Sequence, residues 1–221
     1  MQQTFPDFGN TMPITMAKRM LARNFSRIQF KFEEVTWNEP KSSRFGVYLH
    51  VPFCKKLCAF CPFYKVLYDE QLKDAYLNAL TKEIKMRIPQ GEIPWFYMGG
   101  GTPNLLDPPE IEEIISTVRD NRSIDNMGME GTPRQFTRTY LRKIKAIGMD
   151  KISMGIESLN PEALHHVHRD VTNKKHITNL IEYAKDLGLS VNVDLMIGLP
   201  SQTNEDFLRD IKELAKIGPQ Q

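Results

Sequence analysis

The stretch Cys54-Lys-Lys-Leu-Cys58-Ala-Phe-Cys61 holds all three cysteines of this 221-residue chain. An odd number of thiols in one loop does not suit a disulfide framework, in which cysteines are paired and spread along the chain. Thiolates are soft ligands, so the loop is typical of a zinc or iron–sulfur site. Zinc would need a fourth ligand, and His50 is the nearest candidate. A cubane cluster usually takes four cysteines, so three would leave one iron for an outside ligand.

The overall composition is that of an ordinary globular domain. The chain has a formal net charge of +2 and 41% hydrophobic residues, enough for one sizeable core. No apolar run approaches the roughly 20 residues that a membrane span needs. We expect no membrane span and no nucleic-acid partner. Crowded, unpaired thiols indicate a reducing compartment, so we expect a cytoplasmic location.

From Arg44 onward, short apolar runs alternate with helix-like stretches. This repeat predicts parallel β-α units with right-handed crossovers. We predict an α/β fold, a partial parallel (β/α) barrel of about five units. The alternatives are a doubly wound sheet and a complete eight-unit barrel, which would need more residues. The five predicted units are Phe45–Val51 with Glu70–Met86, Trp95–Met98 with Pro109–Val118, Met127–Glu130 with Arg134–Ile147, Lys151–Ile156 with Asn173–Leu187, and Ser190–Ile197 with Asn204–Ile217.

Residues 1–43 differ from the repeat that follows. Met16 to Phe32 mixes apolar and basic residues at a spacing that predicts an amphipathic basic helix. Such a helix would lie on the outside of the barrel with its basic face in water, or would dock an anionic partner. We therefore predict an N-terminal extension, residues 1–43, and a core domain, residues 44–221.

Ligand sites in parallel β-α folds form at the carboxyl ends of the strands. The second predicted strand ends in Tyr97-Met-Gly-Gly-Gly-Thr-Pro103. Three glycines would let a ligand approach the backbone and would expose amide groups to it. A plain tight turn is the alternative interpretation. The spacing is not that of a dinucleotide-binding fingerprint.

Four motifs together resemble one known family. They are Tyr48–Cys54 leading into the cysteine loop, Gly99–Pro103, Gly155–Ser158 and Asp194–Thr203. In this order they resemble the oxygen-independent coproporphyrinogen oxidase-like branch of the radical S-adenosylmethionine (SAM) enzymes. The resemblance extends from about residue 44 to about residue 203.

This resemblance implies a [4Fe–4S] cluster on Cys54, Cys58 and Cys61, with SAM bound to the open iron and cleaved to a 5′-deoxyadenosyl radical. It also implies a low-potential electron donor such as flavodoxin or ferredoxin. The resemblance leaves the catalytic residues unknown. The residues that match SAM-site positions are Tyr48, Phe60, Gly100, Gly101, Thr102, Glu130, Glu157, Arg169 and Asp194.

The chain departs from the family pattern at three places. Phe63 stands where coproporphyrinogen dehydrogenases carry a fourth cysteine. Glu157 replaces a usual glutamine and would bring a negative charge near SAM. Gly131–Pro133 replaces a usual Asn-Pro or Asp-Pro. The sequence also ends at Gln221, before the substrate-covering region of the family, so we expect either a fragment or a protein that lacks this region.

These observations predict a radical SAM enzyme that acts on an organic substrate such as haem or a porphyrinogen. A methyltransferase or haem-degrading enzyme that uses two SAM molecules is one alternative, and a haem-binding chaperone without turnover is another. We expect His165, His166 and His168 to mark a solvated helix end rather than a metal or haem site. We expect His50 to lie near the cluster, and Phe60, Phe63 and Tyr64 to shield the cluster from water.

Overall fold

A computed structural model describes residues 42–120 and 122–221. The predicted basic helix, Met16 to Phe32, lies outside the described residues. The strands are β1 Val47–Val51, β2 Phe53–Cys54, β3 Val66–Leu67, β4 Glu92–Ile93, β5 Phe96–Gly100, β6 Ser123–Ile124, β7 Met127–Gly131, β8 Lys151–Glu157 and β9 Ser190–Leu195. The α-helices are α1 Glu70–Arg87, α2 Pro108–Arg119, α3 Arg138–Ile147, α4 Pro161–His166, α5 Lys174–Asp186 and α6 Asn204–Ile217.

The central sheet has five parallel strands in the order β1-β5-β7-β8-β9. Its spatial order is the order of the chain, so the sheet is wound in one direction from β1 to β9. A doubly wound sheet reverses direction at a switch point, so that alternative is wrong. The predicted partial (β/α) barrel with five strand–helix units is confirmed. Two short parallel pairs, β2–β3 and β4–β6, were not predicted.

Local capping sets where the helices begin and end. The Asp69 side chain accepts a hydrogen bond from Leu72 N at the start of α1. The sequence predicts that the third helix begins at Arg134, but α3 begins at Arg138. The reason is that the Thr137 hydroxyl accepts the Tyr140 amide and so caps the helix there. Gly148 ends α3 with φ +107°, as its predicted C-cap role requires.

The core lies between the sheet and the helices that cover it. Met98, Met129, Ile152 and Val191 come from four neighbouring strands and are fully buried. This pattern fixes the register, because a shift of one residue would turn these side chains to the opposite face. The carboxyl ends of all five strands therefore meet at one edge. Within the described part of the chain, no helix is long and apolar enough to cross a bilayer.

Candidate functional site

The carboxyl ends of the strands surround a cavity of about 350 Å³, and the cysteine loop folds over it. Every predicted site residue except Tyr48 lines this cavity. Of the predicted residues, three thiols, a glycine-rich strand end, three carboxylates and one arginine therefore face the same space. The predicted site residues that line it are Cys54, Phe60, Cys58, Cys61, Gly100, Gly101, Thr102, Glu130, Glu157, Arg169 and Asp194.

The cysteine loop leaves the fold at β2 and returns at β3. Cys54 is buried, and the Thr102 hydroxyl donates to its sulfur at 3.4 Å. Burial raises the pKa of the Cys54 thiol, and the bond from Thr102 opposes that rise. The Cys61 amide donates to Cys58 O at 3.3 Å, and Lys65 Nζ donates to Cys61 O at 2.6 Å. Among the described residues, no three His, Cys, Asp or Glu side chains are grouped to hold a single metal ion.

A segment more than 100 residues away in sequence holds the cysteine loop. The Ala59 amide donates to Val167 O at 3.1 Å. Lys56 forms an ion pair with Asp170, whose other carboxylate oxygen lies 3.6 Å from Arg134 Nη1. These contacts join the loop to the turn after β7 through the segment Val167–Asp170. The loop therefore has a defined position that rests on the protein's own contacts.

One side of the cavity is acidic. Glu130 Oε1 accepts the Gly100 amide at 2.5 Å. Burial raises the pKa of the Glu130 carboxyl, the bond from Gly100 lowers it, and the nearby Asp194 raises it again. A Cβ added to Gly99 would lie 2.7 Å from the Tyr48 hydroxyl and 3.1 Å from Glu130 Oε1, so both side chains pack close to Gly99. Tyr48 thus lies beside Glu130, which lines the cavity. Tyr48 does not line the cavity itself, and its predicted role in positioning SAM stays a prediction.

The other side carries a nearly buried ion pair. Arg169 Nη2 lies 3.3 Å from Glu157 Oε1 and also donates to Gly155 O. Arg169 Nη1 approaches Cys58 Sγ at 3.9 Å. Glu157 has φ +65° at an irregularity in the β8–β9 register, which turns its side chain toward the arginine. Burial raises the pKa of the Glu157 carboxyl, Arg169 lowers it, and Asp194 raises it.

The glycine stretch packs against the start of the cysteine loop. A Cβ on Gly101 would lie 2.7 Å from the carbonyl carbon of Pro52 and from Phe53 O, so a side chain does not fit there. The Gly101 amide donates to Val51 O at 2.7 Å, and the Gly100 amide is taken by Glu130. The expectation that these glycines expose free amide groups is therefore wrong. Their small size admits the loop backbone instead.

His50 does not line the cavity but packs against Gly100, which does. Its Nε2 forms a hydrogen bond with Tyr64 O at 2.9 Å, and its ring covers Gly100. The structure therefore does not bring His50 to the thiols as a fourth zinc ligand. Tyr64 is exposed and packs against His50, outside the cavity. Tyr64 is therefore not in the position beside the thiols that shielding of a cluster would require.

The other two aromatic residues of the loop both line the cavity. Phe60 is partly buried and packs on a small apolar cluster that contains Ala163, Val167 and Leu199. Phe63 is 67% exposed at the rim. Of the described aromatic residues in the loop, Phe60 thus covers the cavity wall, and Phe63 faces largely toward solvent.

The histidine cluster divides into two parts. His165 and His166 end α4 and are exposed, as the sequence predicts for a solvated helix end. His168 has φ +58° and lines the cavity, which was not predicted. Gly155, Lys65 and Asp170 also line the cavity and were not predicted to do so. The signal for Asp170 and His168 was only their position beside Arg169, and for Lys65 its position four residues after Cys61.

Comparisons with known proteins agree with this geometry. A model of the radical SAM superfamily matches residues 48–214. The oxygen-independent coproporphyrinogen III oxidase of Salmonella typhimurium is 34% identical over 182 residues, covering 79% of this chain and 40% of the relative. The heme chaperone HemW of Bacillus subtilis is 29% identical over 166 residues, covering 72% and 44%.

A similar structure has also been solved. The radical SAM enzyme coproporphyrinogen III oxidase (HemN) from Escherichia coli superposes with a TM-score of 0.73 at 35% identity, covering 79% of this chain and 42% of that one. The chain thus spans less than half the length of each of these relatives.

Proposed function

Because this chain belongs to the radical SAM superfamily, in its coproporphyrinogen oxidase-like branch, we propose that it holds a [4Fe–4S] cluster and SAM in the cavity and cleaves SAM reductively. Cys54, Cys58 and Cys61 would bind three of the four irons, which leaves the fourth for SAM. When bound, the cluster supplies the electron that cleaves SAM and so starts radical chemistry. The observation that carries the proposal is that these three thiols line the same cavity as Glu130, Glu157, Arg169 and Asp194.

The donor set fits these groups. Three thiols face a cavity of about 350 Å³. Cysteine thiolates are soft ligands and are the usual protein ligands of iron–sulfur clusters. The raised pKa of Cys54 means that iron must displace a proton from this thiol, as metal binding to cysteine generally does. The Thr102 hydroxyl remains close to the same sulfur and would then donate to the bound thiolate.

The carboxylates suit the polar half of SAM. Glu130 and Asp194 face the cavity, and acceptors of this kind bind an ammonium group and ribose hydroxyls. We propose that Gly100, Gly101 and Thr102, which all line the cavity, lie beside the amino acid part of SAM. We propose further that Tyr48 supports the site from behind Glu130, and that Phe60 excludes water from the cluster wall.

The substrate we propose is a tetrapyrrole, from which the radical would abstract hydrogen. This proposal rests on similarity to oxygen-independent coproporphyrinogen III oxidases. The electron would come from a low-potential donor such as flavodoxin or ferredoxin. Because the chain spans 40% of the Salmonella relative, the activity of a whole protein of this kind is part of the proposal.

A haem chaperone is the second candidate. The similarity to HemW favours it, as does Phe63 at the position of the fourth cysteine of coproporphyrinogen dehydrogenases. In that case the cavity would retain the cluster, and haem would be bound without being altered. Radical methyl transfer or haem degradation would instead consume SAM and change the haem.

Mass spectrometry of the SAM products separates these candidates. The chain would be reconstituted with iron and sulfide without oxygen, then reduced with dithionite in the presence of SAM, with and without haem. We expect 5′-deoxyadenosine from the wild-type chain and none from Cys61→Ala. S-adenosylhomocysteine or altered haem would select the methyltransferase or haem-degrading alternative. Intact SAM beside a complete cluster and bound haem would reject the proposed enzyme in favour of the chaperone.

A further inference from the structure

We propose that Glu157 is a positioning residue that fixes the Arg169 guanidinium beside Cys58 and offsets its charge, and that this pair tunes the reduction potential of the cluster. This inference rests on the proposed function, because it concerns the cluster held by Cys58. It assigns Glu157 a partner within the protein. The resemblance to the family had implied only that its charge would lie near SAM.

The geometry of the pair supports this role. The guanidinium has three neighbours: Cys58 Sγ at 3.9 Å from Nη1, Glu157 Oε1 at 3.3 Å from Nη2, and Gly155 O, which also accepts from Nη2. Arginine has a rigid, planar set of donors, so two contacts on Nη2 determine where Nη1 points. The contacts of Nη2 with Glu157 and Gly155 therefore orient Nη1 of Arg169 toward Cys58 Sγ.

The backbone is built to bring this pair together. Glu157 has φ +65°, a left-handed conformation that is unfavourable for a residue with a side chain. A Cβ on Gly155 would lie 2.6 Å from Arg169 Nη2 and 2.7 Å from Glu157 Oε1, so only glycine leaves room for the ion pair against the strand. Ser158 and Leu159, which follow Glu157, both donate to the buried Asp210 carboxylate. The turn that carries Glu157 is thus anchored on α6.

Burial makes the charges of the pair effective. The side chains of Arg169 and Glu157 are 16% and 12% exposed, so solvent screens them much less than a surface pair. A reduced cluster carries one more negative charge than an oxidised cluster. A nearby cation therefore favours the reduced state, and a nearby anion opposes it. Arg169 should raise the reduction potential of the cluster, and Glu157 should reduce that effect.

An EPR-monitored redox titration without SAM tests the inference. We expect Glu157→Gln to move the midpoint potential in the positive direction and Arg169→Met to move it in the negative direction. Glu157→Asp keeps the charge and should stay closer to wild type than Glu157→Gln. The control is Glu162→Gln, an exposed residue of α4, which should not shift the potential.

The opposite signs distinguish charge tuning from a structural role, because mere loosening of the site would move both variants in the same direction. Shifts of equal sign, or no shift in Glu157→Gln, would overturn the inference. Should Arg169→Met fail to assemble a cluster, the sign of the shift in Glu157→Gln decides alone, with Arg169→Lys as the variant that keeps the charge. A wild-type chain that binds no cluster would instead overturn the proposed function, and the inference with it.

Discussion

Two groups of charged residues in the described part of the chain each join one mostly buried cation to three acids, and they are arranged in opposite ways. Between α1 and α2, Lys73 Nζ lies 2.5 Å from Glu110, 3.2 Å from Asp74 and 3.9 Å from Glu70. The hydrogen bond to Glu110 raises the pKa of Lys73, so the cation stays charged despite its burial. This cluster is closed, because every acid in it contacts the cation.

The cavity cluster is open. Arg169 pairs with Glu157 alone among the three carboxylates, and the described residues form no ion pair with Glu130 or Asp194. Burial raises the pKa of Glu130 and of Glu157, and Asp194 raises both further. A carboxylate that lines a cavity without an ion-pair partner can accept a cationic or hydrogen-bond-donating ligand, and Glu130 and Asp194 are of this kind. The comparison indicates that the first cluster stabilises the fold and that the second is prepared for a ligand.

The largest effect should come from the thiols of the open site. We expect Cys58→Ala to lose nearly all of the iron and sulfide that the wild-type chain takes up, because a cubane with two protein ligands is poorly held. Iron and sulfide analysis after anaerobic reconstitution measures this. Leu57→Ala, in the same loop but outside the cavity lining, should keep the wild-type content. Full cluster content in Cys58→Ala would refute the ligand assignment.

The closed cluster should matter for stability and not for ligands. We expect Lys73→Met to lower the free energy of unfolding by about 1–3 kcal/mol, because the partly buried Glu110 loses its cation while the more exposed acids remain hydrated. Urea denaturation of the apoprotein measures this change. Lys82→Met, on the exposed face of the same helix, is the matched control. If Lys73→Met reduced SAM binding at unchanged stability, the division between the two clusters would be wrong.

The open cluster should show the reverse pattern. We expect Glu130→Gln to weaken SAM binding about tenfold, which corresponds to about 1.4 kcal/mol, with no loss of apoprotein stability at pH 7. Isothermal titration calorimetry with the reconstituted protein measures the affinity. Glu112→Gln, an exposed residue of α2, serves as the control. A destabilised variant with unchanged SAM affinity would make Glu130 a structural residue.

The smallest effect is the pH dependence of the apoprotein. A carboxyl whose pKa is raised in the folded state binds more protons when folded, so its contribution to stability is present at low pH and is lost as pH rises through the folded pKa. Relative to Glu130→Gln, the wild-type chain should therefore lose stability as pH rises above 4.5, the ordinary pKa of the group. Urea melts between pH 4 and pH 8 check this. A stability difference that does not vary with pH would contradict the raised pKa.

The parts of the fold that the sequence predicts well are those that depend on local pattern. Apolar runs and capping residues give the five strands and their main helices, and the largest shift is at the start of α3, because Thr137 caps that helix later than expected. The short helix α4 is not among the predicted units, and the ends of β1 and β9 differ by two residues. The cysteine loop and the glycine stretch are recognisable as contiguous motifs. Both lie at the carboxyl ends of strands, so their convergence follows from the parallel sheet.

The contacts that hold the loop could not be predicted in this way. Cys58 and Arg169 are 111 residues apart, and Lys56 and Asp170 are 114 apart, with no periodicity to connect them. The pairing of Glu157 with Arg169 depends on the positive φ of Glu157 and on an irregularity in the β8–β9 register. The residue types in this segment do not predict either feature. Long-range side-chain geometry decides these features, and it emerges only when the chain is folded.

The most direct test of the open site is the EPR spectrum of the reduced, reconstituted chain before and after addition of SAM. If Cys54, Cys58 and Cys61 leave one iron open and the surrounding carboxylates hold SAM beside it, the cluster signal should change its g values when SAM is added, and Glu130→Gln should need more SAM for the same change. A cluster signal that SAM does not alter at any concentration would contradict the account.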